Sequence, residues 1–157
     1  MLAVVFALVT AAGCSAAGPN VEVAPGVKVQ QNGGGAVTVT GPDGSSTTSG
    51  ENKLPDGFPS DAPIFQPSTI AASNGSSAVN GKVYAVLLET SAPAADVWSW
   101  YQSQVPTNGW DVKSAVTTDF GGNMLCENGS QTLAVAVTDK TGVAGVTAVR
   151  LTISPAQ

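Results

Sequence analysis

The chain has 157 residues, no histidine, six lysines plus arginines and eleven acidic residues, for a net charge of −5. The missing histidine removes the commonest general base, zinc ligand and pH switch together. The acidic balance speaks against nucleic acid, which needs a basic footprint to displace counterions.

From the N-terminus, Leu2–Ala12 is apolar but for Thr10 and runs at once into Gly13-Cys14-Ser15. An apolar stretch closing on small residues is the core and cleavage region of a secretory signal. Thr10-Ala11-Ala12-Gly13-Cys14 resembles the lipobox of bacterial lipoproteins, which implies that Cys14 is lipidated and becomes the mature N-terminus. Ala11 stands where that pattern more often carries leucine, and the missing positive n-region points to a start further upstream. A plain secretory cut near Ala16-Ala17 is the rival. A membrane-spanning helix is poorly supported, because about eleven residues at ~1.5 Å each reach only half of a ~30 Å hydrocarbon core. Lipidation would leave Cys126 as a lone thiol, read as a small buried hydrophobe in a strand.

Residues 14–53 are rich in Gly, Ser, Thr and Pro. Val27-Lys28-Val29 and Val37-Thr38-Val39 alternate around Asn32-Gly33-Gly34-Gly35 and predict a small hairpin. Gly41–Gly50 reads as a flexible tether. One carboxylate, Asp43, is too few for a calcium loop. Leu54–Phe65 carries three prolines that forbid a central strand, yet Leu54, Phe58, Ile64 and Phe65 are too apolar for a free linker. It predicts an extended strap packed on the domain.

A weak strand around Ser68–Ser73 is joined through an Asn74–Gly81 turn region to a strong one at Lys82–Thr90. Both faces of the strong strand are apolar, as expected of a strand covered at least partly on both sides. Pro93 to about Val105 predicts the helix, with Ser91 as cap, Asp96 in the first turn, and Ala94, Val97, Trp98, Tyr101 and Val105 on one face. Pro106 ends it, and Asn108-Gly109 suits the exit. Strands at Trp110–Thr118, Asn123–Glu127, Gln131–Asp139 and Val146–Ser154 follow with short connections, which makes an antiparallel meander. The fold class expected is α+β: one helix on a predominantly antiparallel sheet of about five strands, with a small N-terminal hairpin and tether. The divisions are 1–13 signal peptide, 14–53 tether and 54–157 globular domain.

Catalysis has little to work with. Asp96, Asp111, Asp119, Glu127 and Asp139 sit at turns, a helix start or alternating strand positions, as solvated carboxylates do. No nucleophile motif surrounds any serine or threonine, and Lys82, Lys113 and Lys140 lack a partner motif. No metal, cofactor or phosphate loop is expected, since Gly33-Gly34-Gly35 is followed by neither the lysine nor the helix such a loop needs. Trp100 falls well off the centre of the helix's apolar face. With Phe120 in the Asp119–Gly122 loop it is a candidate partner-contact patch, since exposed tryptophan often anchors interfaces. The bland alternative packs Trp100 at the helix–sheet margin or against the strap.

The lipobox at Cys14, the hairpin-like Gly26–Gly44 stretch, the Leu54-Pro55-Asp56-Gly57-Phe58-Pro59 lead-in, and Trp100-Tyr101 followed by Asn108-Gly109-Trp110 together resemble small bacterial cell-envelope lipoproteins. The composition suggests a GC-rich, actinobacterial kind of source. The resemblance carries no catalytic or ligand residue. The expectation is a lipid-anchored extracytoplasmic protein that is not an enzyme and binds an envelope protein or cell-wall component. The alternatives are a carrier of a small apolar ligand held between helix and sheet, and then a secreted enzyme.

Overall fold

The computed structural model describes residues 21–31, 37–42, 45–49, 53–78 and 81–156. The signal segment, Cys14 and the Gly33-Gly34-Gly35 turn lie outside the described residues.

Ten strands and one helix form in the order β1 (Val21–Ala24), β2 (Val27–Gln31), β3 (Val37–Thr40), β4 (Ser46–Ser49), β5 (Thr69–Ala78), β6 (Gly81–Thr90), α1 (Ala94–Thr107), β7 (Asp111–Thr118), β8 (Gly121–Glu127), β9 (Gln131–Asp139) and β10 (Thr147–Pro155). The strands make one sheet in the order β1-β2-β3-β4-β5-β6-β10-β9-β8-β7, and every neighbouring pair is antiparallel. The chain leaves β6 through the helix, which lies over β7, β8 and β9. It then returns strand by strand until β10 closes against β6.

The expectation of a helix on about five strands is therefore corrected to one helix on a ten-stranded antiparallel sheet. Two segments account for much of the difference. Gly41–Gly50 was expected as a tether, but Ser46–Ser49 is a strand held between β3 and β5. Asn74-Gly75-Ser76 was expected as a turn, but it continues β5, pairing with β4 on one side and β6 on the other. Main-chain pairing on both flanks outweighs the turn preference of Asn-Gly and the weak strand preference of serine. Gly75 also has a packing role: a Cβ there would lie 3.1 Å from the Pro55 ring and 3.7 Å from Tyr84.

The core lies on one face, here called inner. Alternation along each strand turns Tyr84, Val86 and Leu88, then Val149, Leu151 and Ile153, then Leu133, Val135 and Val137 to this inner face. The helix answers with Ala94, Val97, Trp98, Tyr101 and Val105, all buried. Val83, Ala85 and Leu87 are half-buried, so β6 is fully covered on the inner side and only partly on the outer. Among the described residues no helix crosses the outer face, and none is long and apolar enough to cross a membrane.

Both helix ends differ from expectation. Pro93 occupies the N-cap and no side chain caps it, so Ser91 does not. At the other end Pro106 falls inside the last turn, where it removes one i→i−4 donor just before the helix stops. Gly109, at φ +86°, donates its N–H to the Pro106 carbonyl, and Trp110 donates to Val105 at 3.3 Å. That pair of bonds is a Schellman termination, in which glycine supplies the left-handed conformation.

The strap forms as expected and is pinned by side chains of the core. The Tyr84 hydroxyl donates to the Gly57 carbonyl at 2.7 Å, and Trp110 Nε1 donates to the Asp61 carbonyl at 3.0 Å. Thr90 donates to the Pro67 carbonyl at 2.7 Å. A non-strand segment laid over a core needs such partners for its backbone, and aromatic side chains with a polar tip supply them while burying their rings.

Candidate functional site

The inner face extends beyond the reach of the helix across β3, β4, β5 and β6. There it bears small polar residues in place of aliphatics, because no apolar layer has to be matched. Under the start of the strap this stretch forms a cleft of about 400 Å³. Thr38, Ser46, Ser73, Ser77, Lys82 and Tyr84 line it, with Pro55 and Asp56 at its roof. Register places them together: Thr38 faces the β4 strand, Gly75 pairs with Tyr84, and Ser77 pairs with Lys82.

The cleft carries one ammonium, Lys82, and one carboxylate, Asp56. The Asp56 side chain is fully exposed and reaches Lys53 at 3.9 Å. Lys82 makes no ion pair among the described residues. A Cβ at Gly57 would lie 3.1 Å from the Tyr84 hydroxyl and 3.3 Å from Lys82 Nζ, so ammonium and phenol sit over the same point of the strap. Gly57 has φ +80°, a second reason that glycine stands there. The arrangement brings together hydroxyls, one ammonium and one solvent-exposed carboxylate. Sequence reasoning missed it, since Thr38 reads as part of a separate hairpin and Ser46 as tether until β4 joins β3 to β5.

The outer face carries a second, shallower trough of about 260 Å³ across β7, β8, β9 and β10, floored by Ala134 and Ala136 and flanked by Val116 and Leu125. A third depression beside Pro67, Thr69 and Glu89 is compensated in charge, because Lys140 holds Glu89 at 2.7 Å.

The residues singled out from sequence are placed as follows. Cys14 is outside the described residues. Trp100 is half-buried in an aromatic row, edge-on to Phe65 at 5.3 Å and to Tyr101 at 4.9 Å. Phe120 is 64 % exposed at the β7–β8 turn, and no ring contact joins it to Trp100 among the described residues. Cys126 is fully buried with a free thiol, which burial and then the negative Asp111 push up to about 11. Asp111 and Glu127 are register partners, and both are bridged by Lys113, at 2.6 and 3.7 Å. Hydrogen bonding and attraction from Asp111 chiefly raise the Lys113 pKa. Sharing one exposed lysine makes this a surface ion cluster at the sheet edge. No group of three or more His, Cys, Asp or Glu converges among the described residues.

Residues 67–143 match a family model described as START domain-like. The matched stretch runs from the end of the strap through β5, β6, the helix and β7 to β9. It includes the β5 and β6 walls of the hydroxyl-lined cleft and much of the outer trough. Neither a curated protein nor a solved structure matches the chain.

Proposed function

We propose that this protein is a non-catalytic ligand-binding module of a bacterial cell envelope, held at the membrane by lipid on Cys14. Its ligand seat is the hydroxyl-lined cleft between the strap and β3–β6. The observation that carries the binding reading is a concave cleft of about 400 Å³ in which hydroxyls, one ammonium and one carboxylate converge, since convergent polar groups fix the orientation of a small ligand. The START domain-like match over 67–143 supports a ligand-binding module in the same stretch. The cell-envelope setting rests on the signal-like Leu2–Ala12 run and Cys14.

Native mass spectrometry of the full chain from a bacterial membrane fraction tests both parts. An adduct carried by the wild type and lost in a cleft-filling Ser77→Phe variant is expected; no adduct in either overturns the cleft as seat. Acyl-chain mass on a chain beginning at Cys14, absent from Cys14→Ser, is expected for the anchor, and an unmodified chain cut past Cys14 overturns it.

The family match also favours a second reading, carriage of a small apolar ligand. The space between helix and sheet, where such a cargo was first expected, is filled by Val97, Trp98, Tyr101, Leu133 and Leu151, each at most 2 % exposed. An apolar cargo would therefore take the outer trough.

A further inference from the structure

Arg150 is the chain's single arginine, and it stands on β10 in the middle of the outer face. Its register partners are Leu87 on β6 and Ala136 on β9. Thr152, next on that face, lies between Ala85 and Ala134. Beyond the alanines the trough is lined by Leu125 and Val116, which are 40 % and 59 % exposed, with Asn123 between Ala136 and Val116 and Ser114 beside Leu125. The guanidinium forms no hydrogen bond or ion pair among the described residues. The carboxylates sharing this face have cations of their own: Glu89 has Lys140 at 2.7 Å, and Asp111 and Glu127 have Lys113.

We propose that the outer trough binds a single-chain amphiphile, its anionic head on Arg150 and its alkyl chain along Ala136, Ala134, Leu125 and Val116. Charge complementarity selects this occupant. Arginine presents a planar fork of donors that matches carboxylate or phosphate oxygens. Here it borders exposed aliphatics on a chain whose net charge is −5. The alanine floor leaves room for a chain lying across the strands. From β7 to β10 is three interstrand spacings, about 14 Å, the reach of a medium-length alkyl chain. The competing account is that the arginine stem merely covers apolar sheet surface, which predicts no preference between charged and neutral heads. The inference rests on the carrier reading and is independent of the hydroxyl-lined cleft.

Amide NMR titrations of the full chain with dodecanoate and dodecyl phosphate below their micelle concentrations, and with dodecanol below its solubility limit, test it. Both anions are expected to shift amides of β7–β10 and to bind roughly three- to tenfold tighter than dodecanol, the scale of a charge-assisted hydrogen bond in a partly exposed site. Comparing the two anions tells a carboxylate source from a phosphate one. Arg150→Ala should bring both anions to the dodecanol affinity. Ala136→Glu, which sets a carboxylate opposite Arg150, should do the same without removing the arginine. Dodecanol binding as tightly as the anions overturns the assignment of the head to Arg150 and leaves the carrier reading standing. Shifts confined to the hydroxyl-lined cleft overturn the trough as the seat. No binding of any of the three overturns the inference and the carrier reading together.

Discussion

The indole of Trp98 lies directly on the backbone of Gly122. A Cβ at position 122 would overlap the ring, lying 2.6 Å from Cζ2, while Nε1 donates to Thr117 Oγ1 at 2.9 Å. Thr117 and Gly122 are themselves register partners, so one side chain from the helix spans the β7–β8 pair at the sheet's far edge. Gly122→Ala should destabilise the fold by about 1–3 kcal/mol, as overpacking does. Urea denaturation followed by tryptophan fluorescence measures it, and an unchanged midpoint would mean that the helix shifts freely over the edge.

Tyr101 ties the helix to the strap. Its hydroxyl accepts the Phe65 N–H at 3.3 Å in a buried site. Tyr101→Phe leaves that N–H without its partner and should cost about 1–3 kcal/mol at neutral pH. Burial pushes the phenol well above its ordinary value near 10. The folded state keeps the proton that the unfolded chain releases, so the contribution is intact below about pH 10 and is lost as pH rises further. The Phe variant should therefore lose less stability than wild type at strongly alkaline pH.

Cys126 gives a second alkaline signature in an earlier window. Its thiol ordinarily titrates near 9 and is pushed up to about 11 in the fold. Its contribution is complete below 9 and declines between 9 and 11, because only the unfolded chain ionises readily there. Cys126→Ala should flatten stability across that window, and the native thiol should react with a disulfide reagent far more slowly than in denaturant.

Releasing the strap should open the hydroxyl-lined cleft. Tyr84→Phe removes the bond to the Gly57 carbonyl, and Trp110→Phe removes the one to Asp61. The Tyr84 change is expected to cost about 1 kcal/mol, and the Trp110 change more, because the smaller ring also leaves a cavity at a fully buried position. Amide exchange should rise over residues 54–62 in both variants, and the Tyr84 change alone should also weaken any adduct of the cleft. Unchanged exchange would show that apolar packing of Leu54 and Phe58 suffices to hold the segment.

The N-terminal strands join the sheet through β4, whose Thr47 bonds Ser76 across to β5 at 3.3 Å. Proline in a strand paired on both sides removes a ladder donor. Thr47→Pro should strip exchange protection from β1–β3 and leave the tryptophan signal of the helix layer intact. A tether at 41–50 would give no change at all.

The sequence by itself determined what periodicity and punctuation encode. Lys82–Thr90 is a bounded run of β-branched, aromatic and aliphatic residues that reads as a strand, and Val97, Trp98, Tyr101 and Val105 recur at helical spacing. Proline and glycine marked the strap and the helix exit because they restrict or free single backbone dihedrals, which is local chemistry. The tertiary structure alone decided that Ser46–Ser49 and Asn74–Ala78 are strands, since serine, threonine and glycine carry little preference and pair only where neighbours offer main-chain partners on both sides. Ser46–Ser49 adds a strand and through it brings β1–β3 into the same sheet, while Asn74–Ala78 lengthens β5. It also decided that Thr38, Ser46, Ser77 and Lys82, far apart in the chain, would line one cleft, and that Arg150 would stand among aliphatics on an uncovered face. Convergence of distant side chains depends on strand order and register, which no local pattern in the chain specifies.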